Sequence, residues 1–158
     1  MTLSPDDVKK VYKLKQHPIN HGWGPTKWIR NDFKVRGDVV IDRTTKLMWQ
    51  RKHSDKGFLN QDIALYFEKI NRGWFAGYGD WRLPTLPELM SLWEVEKQSN
   101  GLCINQIFEG GELIFFTADS RSRDVGWCVL FQCPGTVGSQ GYNQVRLKIR
   151  AVRTINDE

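Results

Sequence analysis

The spacing of apolar residues changes along the chain, and each change marks an element. Val8, Val11 and Tyr12 keep the i, i+3, i+4 spacing of a helix face, and Ser4-Pro5 ahead of them supplies a helix start. Residues 17–25 contain Pro18, Gly22, Gly24 and Pro25 and read as a loop. Trp23 and Trp28 are expected to pin this N-terminal stretch onto the body. Val39-Val40-Ile41 and Leu47-Met48-Trp49-Gln50 are apolar runs separated by a polar turn, which predicts a hairpin. A charged loop follows over residues 51–57. Asn60 is placed to cap a helix through Asn71, with Ile63, Ala64, Phe67 and Ile70 on one face and Gly73 as its stop. A second helix is predicted from Leu86 to about Glu96, burying Leu89, Leu92 and Trp93. Residues 98–111 show no period. Leu113-Ile114-Phe115-Phe116-Thr117 then reads as a buried strand, residues 119–124 as a polar loop and residues 125–131 as a strand. Residues 133–141, with Pro134, Gly135, Gly138 and Gly141, read as a long turn, and residues 144–153 as the closing strand. Strands, two helices and strands again predict an α+β domain whose terminal strands pair.

The stretch Gly77-Tyr78-Gly79-Asp80-Trp81-Arg82-Leu83-Pro84-Thr85 organises this order. Its glycines allow a tight turn around Tyr78. Thr85 and Glu88 have the spacing of a capping box, and Pro87 lies in the first helical turn, where no amide proton is needed. Asp80 and Arg82 flank Trp81 and are read as an ion pair that holds the turn.

Size and composition add bounds. A chain of 158 residues with 40% hydrophobic content has room for one core. Seven tryptophans raise the aromatic share to 12%, so much of the packing is ring packing. A net charge of +5 favours anionic partners. No apolar run reaches the roughly 18 residues of a membrane span. Met1 to Lys10 lacks the apolar region of a secretory signal, so the expected compartment is the cytoplasm, or the exterior if a leader has been removed. Three cysteines, an odd number, are expected as buried free thiols.

The residues Gly37-Asp38-Val39-Val40-Ile41-Asp42, then Thr45-Lys46-Leu47-Met48-Trp49-Gln50, resemble the opening of the C-terminal domain of Legionella collagen-like protein, a bacterial family long described as a domain of unknown function. Its most specific feature is an Asp-Trp-Arg-Leu-Pro-Thr run followed by Glu-Leu, here Asp80 to Thr85 and then Glu88-Leu89. Phe115-Phe116-Thr117, Trp127-Cys128-Val129 and Ala151-Val152-Arg153 match its closing pattern. The resemblance spans about residues 37–153. It implies a C-type-lectin-like fold, with antiparallel strands, two helices and long loops, and adhesive binding of sulfated polysaccharides by trimers. Residues 1–36 then form an N-terminal arm packed on the body, and residues 37–158 the C-type-lectin-like domain.

The sharpest chemical signal is the alternation Val145-Arg146-Leu147-Lys148-Ile149-Arg150. In a strand, Arg146, Lys148 and Arg150 would form one outward row about 7 Å apart, suited to sulfate, carboxylate or phosphate, with Arg121 and Arg123 extending it. The alternative is a solvated strand face. Cys128 and Cys133, with Cys103 elsewhere, do not make a zinc set. His17 and His21 are four apart but separated by Pro18, and His53-Ser54-Asp55 reads as a solvated loop. The calcium-ligating lectin signature is absent, and no glycine motif cradles phosphate. Trp23, Trp28, Trp74 and Phe75 lie in loops, where they either stack on ligand rings or pack the loops onto the body. No metal, cofactor or catalytic set is expected. The expected function is non-enzymatic binding of an anionic or carbohydrate ligand, in a chain that is a candidate homo-oligomer. The alternatives are a protein-interaction domain that docks its partner through residues 1–36 and, last, an enzyme with a formylglycine-generating-enzyme-like fold.

Overall fold

Two antiparallel sheets and short helices make an α+β fold in the computed structural model, which describes residues 1–16 and 23–156. Helix α1 (Pro5–Val11) starts at Ser4, whose hydroxyl accepts from the Asp7 amide while the Asp7 carboxylate accepts from the Ser4 amide. Strands β1 (Lys15–Gln16) and β2 (Trp23–Gly24) follow, then β3 (Phe33–Arg36), β4 (Val39–Asp42) and β5 (Leu47–Gln50). The predicted hairpin is present: Val40 pairs with Trp49 and Asp42 with Leu47, and both strands are largely buried. Asp42 organises its turn, accepting from Thr45 Oγ1 at 2.6 Å and from the Thr44 amide at 3.0 Å.

A 3₁₀ turn (Asn60–Asp62) leads into α2 (Ile63–Arg72), which ends at Gly73. Ile63 is buried and Phe67 and Ile70 half-buried, but Ala64 is exposed, so the apolar stripe is narrower than expected. Helix α3 is shorter than predicted, Leu86–Met90, and Leu92 and Trp93 are buried in the turn after it. Strand β6 (Ile114–Ser122) runs into the expected polar loop and leaves only residues 123–124 as a turn, β7 is Val125–Leu130, and β8 (Thr136–Gly141) lies where a long turn was expected. Backbone pairing explains β8: every residue from Val125 to Leu130 has a partner between Thr136 and Gly141, and a glycine can join such a ladder as well as any residue. Of the predicted last strand only Val152 and Arg153 are regular; they belong to β9 (Val152–Thr154), which pairs with β5.

The strand orders are β1-β2-β8-β7-β6 and β3-β4-β5-β9. Residues 1–36 therefore contribute to both sheets, through β1 and β2 in one and β3 in the other. Val8 of α1 joins the main core with Trp49, Leu86, Leu89, Trp93, Phe115 and Phe131. Trp23 packs on that core, whereas Trp28 is 39% exposed and pins little. Trp93 lies so close to Gly135 that no Cβ fits there, and its indole donates to the Leu130 carbonyl at 3.1 Å.

Candidate functional site

The corner at residues 77–88 is built as its spelling demands, with one exchange of partners. Trp81 is buried, and Asn71 clamps its backbone by accepting from the Trp81 amide at 2.8 Å and donating to its carbonyl at 2.9 Å. The Trp81 indole donates to the Phe75 carbonyl at 2.9 Å. The capping box is complete: Glu88 Oε2 accepts from the Thr85 amide at 2.9 Å, and Thr85 Oγ1 from the Glu88 amide at 3.4 Å. Asp80 and Arg82 do not pair with each other. Arg82 donates both terminal nitrogens to Glu88 at 2.8 Å, and Asp80 receives Arg153 at 2.6 and 3.1 Å. The reason is that neighbours two apart point the same way only in a regular strand; here the Arg82 backbone bridges to Val152, and each side chain reaches a distant partner.

Arg153 lowers the Asp80 carboxyl below its usual value. Burial pushes Glu88 up, but its bonds from Arg82 and Thr85 prevail and hold it below the ordinary glutamate value. A carboxylate with a depressed folded pKa stabilises the fold above its unfolded value, near 4.3, and that contribution is lost as pH falls through the folded value. Glu88→Gln is therefore expected to cost about 1–2 kcal/mol at pH 7, less than a fully buried pair because Arg82 is partly exposed. Urea midpoints should show the gap narrowing at pH 3; an equal gap at both pH values would contradict this assignment.

The expected row of cations is not a row. Residues 145–150 are held by single bridges, Phe58 to Leu147 and Phe115 to Lys148, and not by a ladder. Arg150 is 2% exposed and turned inward. It donates to the carbonyls of Gln50 at 2.9 Å, Arg51 at 2.6 Å and Glu109 at 3.2 Å, and its guanidinium lies 5.1 and 5.3 Å from the Phe108 and Phe115 rings. Those carbonyls lie at the end of β5 and in the 98–111 connection; the Arg51 carbonyl also accepts from the Glu109 amide at 2.8 Å, and Arg150 gathers all three at one buried guanidinium. Burial pushes its pKa down to about 9, so it remains charged at neutral pH. Lys148 is half-buried and faces Glu112 at 3.5 Å. Arg121 bonds Ser139 and lines a separate cavity with Trp23 and Trp127, while Arg123 is exposed on the turn after β6. Arg146 is the one member of the row left exposed, and it opens onto a different feature.

That feature is a groove of about 650 Å³ between α2 and residues 54–58. Phe58, Leu65, Tyr66 and Ile70 supply its apolar wall, with the Phe58 and Tyr66 rings 5.1 Å apart. Lys56, Lys69 and Arg146 supply its charge. None of the three is ion-paired among the described residues, and Lys56 Nζ lies 5.3 Å over the Phe58 ring. Of the groove's two carboxylates, Asp55 is engaged by Lys52 at 3.1 Å, and Asp62 has no ion pair among the described residues. A second cavity, of about 460 Å³, shares Ser54, Asp55, Tyr66 and Ile70 with the groove and extends it past Gln50 and Arg51. Tyr66 stands at the junction, its hydroxyl bonded to the Gln50 amide at 2.8 Å.

Residues 38–153 match the family model of the Lcl C-terminal domain. The chain belongs to that family. No curated protein and no solved structure matches it.

In this Lcl C-terminal domain the remaining candidates sort plainly. Cys103 and Cys133 form a disulfide across 30 residues, so the expectation of three free thiols fails; no spacing rule reveals a pairing between two separate loops. Cys128 is free and buried, and burial pushes its thiol up to about 12. His53 and Ser54 are buried, not a solvated loop. The His53 Nδ1–H donates to the Ser54 carbonyl at 2.8 Å, and Ser54 Oγ accepts from the Ile149 amide at 2.8 Å. His17 and His21 lie outside the described residues. Among the described residues no group of three or more His, Cys, Asp or Glu is placed to hold a metal ion, and no helix is long and apolar enough to cross a membrane. Sequence reasoning missed Lys56 and Lys69 as companions of Arg146. The signal was present in α2, where Leu65 and Lys69 lie four apart on one face.

Proposed function

We propose that this Lcl C-terminal domain is a non-enzymatic binding module for anionic polysaccharide, and that the groove under α2 is where the ligand sits. The carrying observation is the convergence of Lys56, Lys69 and Arg146, free of ion pairs among the described residues, on an apolar wall that includes two rings. Sulfate or carboxylate groups meet the cations, Arg146 in bidentate fashion, while sugar rings lie against Phe58 and Tyr66. The C-type-lectin-like scaffold and polysaccharide adhesion implied by the family resemblance agree with this reading. So does the disulfide, because such bonds persist in oxidising compartments, where extracellular polysaccharide is met.

The test is retention on immobilised heparin over a salt series. The wild type should bind at low salt and elute as screening rises. Lys56→Ala/Lys69→Ala/Arg146→Ala should lose at least about tenfold in affinity, the equivalent of about 1.4 kcal/mol. Arg121→Ala/Arg123→Ala, which alters cations outside the groove, should be retained like the wild type. Equal retention of all three proteins would sink the assignment.

A further inference from the structure

A second surface, at the far end of α2, differs from the groove in charge and construction. Trp74 follows the helix stop in the left-handed conformation, φ 49°, ψ 50°, and Ala76 does the same at φ 53°. Neither is glycine, and left-handed backbone is costly for residues with a Cβ. Three bonds already described hold the turn in this state, two exchanged between the Asn71 side chain and the Trp81 backbone and one from the Trp81 indole to the Phe75 carbonyl. The fold gains little burial in return, since Trp74 is 66% exposed. A strained backbone that presents a large ring to water calls for an explanation outside folding.

The surroundings supply one. Trp74, Tyr78, Asp80 and Arg153 line a shallow cavity of about 440 Å³. The Arg153 guanidinium stacks 3.9 Å from the Tyr78 ring and is locked onto Asp80, and Tyr78 in turn accepts from Arg36 at 3.0 Å. Arg153 Nη1 has no partner among the described residues, and the Asp80 carboxylate, which also takes its own backbone amide, keeps one acceptor site open. A fixed donor and a fixed acceptor thus stand side by side next to an open indole face, and their charges cancel.

We infer that this cavity is a subsite for an uncharged pyranose. The C–H face of the sugar lies on the Trp74 indole, and two adjacent hydroxyls bridge the pair, one donating to the Asp80 carboxylate and one accepting from Arg153 Nη1. A vicinal diol matches this set because every hydroxyl both donates and accepts. The inference stands apart from the anionic groove: it uses none of that groove's cations, and its ligand carries no charge.

The experiment follows the Trp74 indole N–H by NMR, assigned by its absence in Trp74→Gly. The probes are methyl β-D-galactopyranoside, methyl α-D-mannopyranoside and methyl β-D-glucopyranoside. At least one should move the resonance saturably, with a dissociation constant on the order of 1–10 mM for so small a ligand. Raising salt should leave that constant within about twofold, because the site is neutral overall. Trp74→Gly should melt no lower than the wild type, glycine being at ease in this backbone, and should keep its heparin retention. The same sugar's effect on the neighbouring Tyr78 ring protons should vanish in that variant. No movement with any of the three sugars would overturn the inference. So would a shift that tracks protein concentration alone, which would make the surface a self-association face. Loss of heparin retention in the groove variant leaves this result untouched, so the two readings fail separately.

Discussion

Replacing Arg150 by methionine should destabilise the protein by about 3–5 kcal/mol. The methionine fills much of the volume but donates nothing to the carbonyls of Gln50, Arg51 and Glu109, each of which accepts from Arg150; of the three, Arg51 keeps another donor, the Glu109 amide at 2.8 Å. A buried acceptor left without a partner costs about 1–3 kcal/mol. The stacking of the guanidinium on Phe108 and Phe115 goes as well. Arg150→Lys should fall between, since one ammonium cannot fork to three acceptors as a planar guanidinium does. Chemical denaturation at pH 7 checks both, and an Arg150→Met variant within about 1 kcal/mol of the wild type would show that the residue is not the joint described here.

Breaking the Cys103–Cys133 bond is expected to cost nearly as much. Closing a loop of 30 residues restricts the unfolded chain by about 3–4 kcal/mol. The bond also ties the aperiodic 98–111 connection to the β7–β8 connection that carries Gly135, on which Trp93 packs. Cys103→Ser/Cys133→Ser should therefore unfold at lower denaturant than the wild type. Thiol titration gives an independent reading. The native protein should show no reactive thiol, because Cys128 is buried and its thiol raised to about 12. The denatured protein should show one, and the denatured and reduced protein three. Three thiols before reduction would contradict the pairing.

What could be read in the residues follows from how local each feature is. The Thr85–Glu88 capping box, the turn at Asp42 and the start of α1 at Ser4 are settled within three or four residues, and the spelling specifies them. The hairpin of β4 and β5 needs only its own alternation and turn. The alternation at residues 145–150 looked equally local and misled, because Arg150 answers to carbonyls about 40 and 100 positions away. Strand β8 was hidden for a related reason: its glycines read as turn signals, and only the partner β7 makes a ladder of them. The exchange of ion-pair partners at Asp80 and Arg82 has the same origin, since Arg153 belongs to the far end of the chain. Of the candidate groove, Arg146 was visible as a cation in a basic run, but its neighbours Lys56 and Lys69 come together only when α2 packs over residues 54–58.

The sharing of residues 1–36 between the sheets bears on where the folding unit begins. The family match starts at residue 38, yet β3 covers one side of β4 through four paired residues, and β2 meets β8 at Trp23. A fragment cut at the family boundary bares the outer rims of both sheets at once and uncovers the pocket that Val8 fills. Exposed rims of that kind recruit strands from other chains, so such a fragment is prone to aggregate, and β1, β2 and β3 are the clasp that covers those rims.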